Sequence, residues 1–215
     1  MKEEIYFYQA PFGRLTLASD GEALTGLWID GQKYDRATLT QPYETSREQL
    51  CAPEIQPYET PREQLCAPEI QPYGAPLEQM RAVSPEQLWG APPVIADTMR
   101  WLDIYFSGKQ PDFLPPLRPK GSAFRQEVWK ILLKIPYGET TTYKKIAGEI
   151  AAAHGRSSMS AQAVGGAVGH NPISILIPCH RVLGTDGSLT GYAGGLTVKG
   201  YLLRLEGYLP GEIKP

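Results

Sequence analysis

Within the 215 residues of this chain, the stretch whose residue types could do chemistry is Pro178-Cys179-His180-Arg181. It follows the apolar run Ile173-Ser174-Ile175-Leu176-Ile177, which has the pattern of a buried strand delivering a thiol at its end. A lone cysteine in such a place ordinarily reads as a small buried hydrophobe. The polar pair that follows argues for a nucleophile instead. A core position would not be followed by His180 and Arg181, and a nearby cation favours the thiolate, lowering a thiol pKa that starts near about 8.5.

The elements that must position Cys179 are readable around it. Ile5 to Ala18 and Leu24 to Ile29 are aromatic and aliphatic runs broken by Pro11-Phe12-Gly13 and Ser19-Asp20-Gly21, as expected of a small antiparallel sheet. Val94 to Phe106 carries apolar residues at helical spacing and stops at Ser107-Gly108. Ser122 is the expected N-cap of a helix with Phe124, Val128, Trp129, Ile131, Leu132 and Ile135 on one pattern, ending at Pro136-Tyr137-Gly138. Thr142 is expected to cap a short helix containing Ile146, Ala147 and Ile150. A small-residue helix from Ser160 to Val168 follows, and the pair reads as a helix-turn-helix. Ala161, Ala163, Gly165, Gly166, Ala167 and Gly169 leave the second helix nearly without bulk, at about 0.5 to 1 kcal/mol per Gly relative to Ala. Tight packing against a neighbouring helix and insertion into a nucleic-acid groove both account for that composition.

Between these halves lies a near-exact duplication, Gln-Pro-Tyr-Glu-Thr-(Ser/Pro)-Arg-Glu-Gln-Leu-Cys-Ala-Pro-Glu-Ile, starting at Gln41 and Gln56, with a degraded copy from Gln71. Its period is too short for a solenoid unit, and prolines and charges outnumber apolar anchors, so 40–86 is expected to be a flexible insertion. Cys51 and Cys66 ride in it; no His or further Cys stands near them at ligand spacing, and no metal site is expected. Three cysteines do not make a disulfide framework. The N-terminus Met1 to Ile5 is charged where a secretory signal needs an apolar core, and no run approaches a membrane span, so the cytoplasm is the expected compartment. Charge is uneven: residues 1–95 hold 7 Lys/Arg against 14 Asp/Glu, leaving 14 against 9 for the rest. A basic second half is consistent with a polyanionic partner.

Ile177-Pro178-Cys179-His180-Arg181-Val182 resembles the active-site signature of the O6-alkylguanine-DNA alkyltransferases. The resemblance extends over 121–207: Phe124 to Trp129, Ile135-Pro136-Tyr137-Gly138, Thr142-Tyr143, Ala163-Val164-Gly165-Gly166-Ala167, Asn171-Pro172, Gly191-Tyr192-Ala193-Gly194-Gly195, Lys199 and Leu202 to Gly207 stand in the family's order and spacing. It implies an α+β fold, with a small N-terminal RNase H-like antiparallel sheet domain (1–93, carrying the insertion) and a C-terminal winged helix-turn-helix-like domain (94–215) bearing the cysteine. It also implies direct-reversal DNA repair: a single, irreversible transfer of the alkyl group of O6-methylguanine, and of O4-methylthymine, to the protein, with the base flipped out of double-stranded DNA.

Carried over by residue, the resemblance implies Cys179 as nucleophile and a proton relay through a water, His180 and Glu206. Asn171 would brace the active-site turn, and Tyr143 would help expel the nucleotide and hydrogen-bond the base. Tyr192 would line the pocket. Backbone carbonyls of Cys179 and Val182 would read the exocyclic amine, and the Ala193 N–H would donate to O6. Ala161, Gln162, Ala163, Gly165 and Arg181 would meet DNA. Gln162 stands where many relatives place an arginine that fills the gap left by the flipped base, which predicts weaker DNA affinity without loss of activity. No cofactor is expected, and a monomer is the default. The rival readings are a damage-recognition protein that binds alkylguanine without repairing it, and a cysteine hydrolase. The nucleophile with its His and Glu argues against the first; the lack of a separate oxyanion-hole loop argues against the second.

Overall fold

The computed structural model describes residues 3–39 and 90–208; the duplicated segment, with Cys51 and Cys66, lies outside them. Strands β1 (Glu4–Ala10), β2 (Gly13–Ser19) and β3 (Leu24–Ile29) form an antiparallel sheet in that order. The β1–β2 register runs from Glu4 opposite Ser19 to Ala10 opposite Gly13, so Pro11-Phe12 closes the hairpin as its turn chemistry predicts. Every residue of β3 is buried. Its outer edge explains this, because Leu24 N–H donates to Pro116 O and Leu27 N–H to Pro172 O, while Leu24 O and Leu27 O accept from Arg118 N–H and Ser174 N–H, all at 2.8 Å. An edge with its polar groups paired in this way is not open to other chains. Through β3 the sheet also grips the chain just ahead of Cys179.

Helix α1 (Pro93–Phe106) has proline at its first position, where no backbone donor is missed, and lies against all three strands. Ile95, Met99, Leu102 and Phe106 recur at helical spacing and are buried, each apolar side chain contributing about 1.5 to 3 kcal/mol. The Tyr8 hydroxyl donates to Asp103 at 2.8 Å and pins helix to sheet.

Ser122, Thr142 and Ser160 cap α2 (Ala123–Leu132), α3 (Tyr143–Ala153) and α4 (Ala161–Gly169), each accepting from the backbone N–H three residues on. Helix α2 ends three residues before the expected Ile135. Lys134 and Ile135 bond back only three residues, to Ile131 and Leu132, because Pro136 disfavours helical geometry in the residue before it. Helices α3 and α4 pack together as a helix-turn-helix, and the Trp129 indole of α2 donates to Ala167 O of α4 at 2.9 Å. Short β4 (Thr141–Thr142) and β5 (Val182–Leu183) pair in parallel, and α5 (Leu196–Leu205) closes the described chain. The architecture is α+β, as expected. Among the described residues no helix is long and apolar enough to cross a membrane.

The expected strand at 173–177 is corrected by the structure. All five residues are buried, but only Ile173 bridges, to Leu27. Ile175 then takes φ 71°, and Leu176 N–H turns back onto Ser174 O at 2.9 Å. A β-branched residue at positive φ is strained, and the surrounding packing must hold it there. An apolar run says that a segment is buried; it does not say that the segment is extended.

Candidate active site

The tight turn at Ile175 brings the chain into a 3-10 turn, Cys179–Arg181, whose three side chains are buried. Asn171, just beyond α4, organises this bend. Its Oδ1 accepts from Ile173 N–H at 3.0 Å, and its Nδ2 donates to Ile177 O at 2.8 Å and to Cys179 Sγ at 3.1 Å. One amide therefore satisfies backbone groups that a strand would have paired, and also touches the sulfur. Burial pushes the Cys179 thiol up; the Asn171 hydrogen bond and the Lys199 charge pull the other way without prevailing. This corrects the expectation of a lowered thiol. The cation thought to do it, Arg181, points elsewhere, and the resting sulfur is a protonated thiol that needs a base.

Arg181 belongs to Glu206. At the end of α5, the Glu206 carboxylate accepts five hydrogen bonds. Oε1 takes the Tyr105 hydroxyl at 2.7 Å, His180 Nε2 at 2.7 Å and Arg181 Nη2 at 2.9 Å, while Oε2 takes Arg181 Nε at 2.7 Å and Gly138 N–H at 3.2 Å. Burial would push this carboxyl up, but the hydrogen bonds and charges of His180 and Arg181 override it and hold it at about 2. Gly138 is required here: its φ is +76°, and a Cβ would stand 2.9 Å from Glu206 O. The remaining Arg181 nitrogen donates to Ile135 O at 2.6 Å. Arg181, expected to meet DNA, instead has its guanidinium buried and paired with the carboxylate.

The ionised Glu206 fixes the tautomer of His180. A carboxylate only accepts, so Nε2 carries the proton and Nδ1 keeps its lone pair. Burial disfavours the imidazolium and, despite Glu206, lowers the His180 pKa. The result is a neutral imidazole. Its Nδ1 is buried and has no hydrogen-bond partner among the described residues. A buried acceptor of this kind, on the residue that follows a protonated thiol, is the type of group that proton removal from sulfur requires.

An open cleft of about 730 Å³ lies beside α4, lined in part by Tyr143, Ala161, Gln162, Gly165, Gly166, Gly169, Tyr192 and Ala193. Tyr143 opens α3 and donates to Thr190 O and Gly191 O, both at 3.1 Å, which fastens it to the loop ahead of Tyr192. Its phenol is pushed up to about 12, first by burial and then by the negative charge Cys179 would carry. The Tyr192 hydroxyl is buried without a partner among the described residues. Ala163 is exposed on α4, outside the residues that line the cleft. The two explanations of the bare helix can now be weighed. A Cβ on Gly166 or Gly169 would meet nothing within 4 Å, and one on Gly165 would meet only Tyr143, at 3.8 Å. Packing within the chain does not require these glycines; the open face they leave borders the cleft.

Two participants had no role assigned from the sequence. Lys199, in α5, is fully buried, and its Nζ bridges Val182 O at 2.6 Å and Thr190 O at 2.7 Å. One ammonium thus ties the strand after Cys179 to the loop that Tyr143 holds, although burial lowers it to about 8. Val182 O, expected to read a base, already accepts this bond. Tyr105 falls within the apolar helical run of 94–106, with nothing in its spacing to set it apart. Its closeness to Glu206 spans 101 residues of sequence, beyond any local pattern. Ala193 O accepts from Lys33 N–H at 3.0 Å, which ties the same loop to the sheet side. Among the described residues no cluster of His, Cys, Asp and Glu could hold a metal ion.

Comparison with known proteins agrees with this geometry. Residues 123–208 match the family model described as 6-O-methylguanine DNA methyltransferase, DNA binding domain. The chain is 34% identical over 201 residues to the methylated-DNA--protein-cysteine methyltransferase of Haemophilus influenzae, covering 93% of this chain and 84% of that protein. With the protein of the same name from Methanosarcina barkeri it shares 52% identity over 110 residues, 51% of this chain and 66% of the relative. The crystal structure of Mycobacterium tuberculosis OGT in complex with DNA superposes with a TM-score of 0.62 at 33% identity, covering 99% of this chain and 97% of that one. The chain belongs to the methylated-DNA--protein-cysteine methyltransferase family.

Proposed function

We propose that this protein reverses alkylation damage in double-stranded DNA by moving the alkyl group of O6-methylguanine onto Cys179, once per molecule. The observation that carries the reading is the buried chain behind the sulfur: a protonated thiol, a neutral His180 with a free Nδ1, and an ionised Glu206 fixing its tautomer.

Cys179 gives its proton toward His180 Nδ1 through an intervening water, and the resulting imidazolium is stabilised by Glu206. The sulfur then attacks the alkyl carbon in line. The carbon–O6 bond breaks, its electron pair leaves with guanine, and a proton returns to the base. Tyr143, at the cleft wall, hydrogen-bonds the flipped base; Tyr192 and the Ala193 N–H complete the pocket, and the Cys179 and Val182 carbonyls face the exocyclic amine. The thioether formed on Cys179 has no route back to thiol, so the protein is consumed. Desolvation makes the thiol hard to ionise before a base arrives, which protects it from random alkylation.

The target nucleotide must leave the stack, at a cost of a few kcal/mol. The open face of α4, with Ala161, Ala163 and Gly165 around Gln162, suits close approach to a groove, and Gln162 fills the space the nucleotide vacates. The repaired bases extend to O4-methylthymine, whose reacting group has the same chemistry. The protein works as a monomer in the cytoplasm, where a reducing environment keeps Cys179 free. A count of repaired lesions per protein, with methylated duplex in increasing excess, tests this. A plateau at one lesion per molecule is expected; continued turnover excludes the reading, and binding without repair supports a damage-recognition protein.

A further inference from the structure

We propose that Tyr105 is a positioning residue of alkyl transfer, its hydroxyl setting the geometry and charge of the Glu206 oxygen that holds the His180 N–H. The inference deepens the function proposed above and rests on it. Tyr105 comes from α1, the helix laid on the β1–β3 sheet, whereas His180 and Glu206 come from the far end of the chain. Its hydroxyl donates to Glu206 Oε1 at 2.7 Å, the same oxygen that accepts His180 Nε2 at 2.7 Å, and the phenol oxygen lies 3.4 Å from that nitrogen. Phenol and imidazole therefore compete for one lone-pair-bearing atom.

The hydroxyl has little freedom. Its ring is fully buried, stacked on Trp101 at 5.1 Å and met edge-on by Phe106 at 5.5 Å and Tyr137 at 6.1 Å. Each donor that shares Oε1 withdraws some of the negative charge that would otherwise bear on His180. Without the phenol proton, Oε1 would attract the imidazole N–H more strongly and stabilise imidazolium formed from solvent protons, before the Cys179 thiol has given up its own. The base would then be occupied at a higher pH, and the carboxylate would lose one of the contacts fixing its plane. A buried tyrosine that merely needed somewhere to donate would be indifferent to this titration.

Tyr105→Phe separates the two roles, because it keeps the ring in its aromatic nest and removes only the hydroxyl. The reading is the single-turnover methyl-transfer rate at saturating methylated duplex, followed across pH, together with DNA affinity and thermal midpoint. The expected result is a maximal rate about tenfold lower, an acid limb moved upward by about half a pH unit, and a DNA Kd within about twofold of the parent. Site-specific 3,5-difluorotyrosine at position 105, a stronger donor, should move the acid limb the opposite way. Superimposable rate profiles for Tyr105→Phe and the parent overturn the proposal. So does a parallel fall in rate, stability and DNA affinity with the acid limb unmoved, which marks Tyr105 as structural. A parent protein that transferred no methyl group would instead remove the underlying function, whatever Tyr105 did.

Discussion

Behind Cys179, Glu206 accepts five hydrogen bonds, and the side chains of His180 and Glu206 are wholly shielded from solvent. In front of it, α4 offers a half-open wall of Ala161, Gln162, Gly165 and Gly166, and a methyl group added at either glycine would meet almost nothing. The relay is over-determined and the cleft under-filled. A proton path works only if the tautomer and the carboxylate plane have one solution, which many short hydrogen bonds in a desolvated place enforce. A surface that takes in a duplex and an extruded nucleotide must instead leave space, and gives up helix stability to do so. Substitutions in the relay should therefore lower rate and stability together, and substitutions on the cleft wall should change DNA affinity with little change in rate.

The largest effect is expected from Glu206→Gln. It leaves Arg181 buried without its counter-charge and frees His180 from a fixed tautomer, so the transfer rate should fall at least about 100-fold and stability by about 3 to 5 kcal/mol. Single-turnover kinetics and denaturant unfolding check both. An unchanged rate would break the contrast at its centre.

Acid should act on the relay next. Glu206 titrates at about 2 in the fold against an ordinary 4.5, so the unfolded chain takes up the proton first. Its contribution, about 3 kcal/mol, is complete above pH 4.5 and lost as pH falls toward 2. His180 is likewise held below its ordinary 6.5, so its share of stability is present above that pH and is lost as pH falls below it. Stability measured by urea unfolding should decline from the mid-sixes downward. The transfer rate should stay level through neutral pH and fall only where the depressed His180 begins to protonate.

On the cleft wall, Gln162→Arg should tighten DNA binding about fivefold and steepen its salt dependence, with the rate at saturating DNA changed less than twofold. Equilibrium binding at two salt concentrations checks it, and unchanged affinity would remove Gln162 from the DNA face. Gly165→Ala is the smallest change. The new methyl group meets only Tyr143, at 3.8 Å, so stability should rise by about 0.5 to 1 kcal/mol while DNA affinity falls modestly. A gain in both would mean that nothing approaches this helix closely.

The parts of this contrast were not equally legible in sequence. The N-caps Ser122 and Thr142 were, because a Ser or Thr before an apolar helical pattern acts on its own neighbours. Cys179, His180 and the turn around them were marked by one short signature. Misread were the features decided by distant partners. Residues 173–177 look like a strand because burial alone makes an apolar run, and the positive φ of Ile175 leaves no trace in composition. Arg181 reads as a surface cation until Glu206 is seen against it. Tyr105 reads as core until its hydroxyl meets a carboxylate from the other end of the chain.

The central claim is that Cys179 itself receives the alkyl group. Intact-protein mass spectrometry with peptide mapping, after incubation with an O6-methylguanine duplex and with Cys179→Ser in parallel, tests it most directly. The account predicts one added methyl group per molecule, located on Cys179 and absent from the serine variant; an unmodified protein, or a methyl group on any other residue, would contradict it.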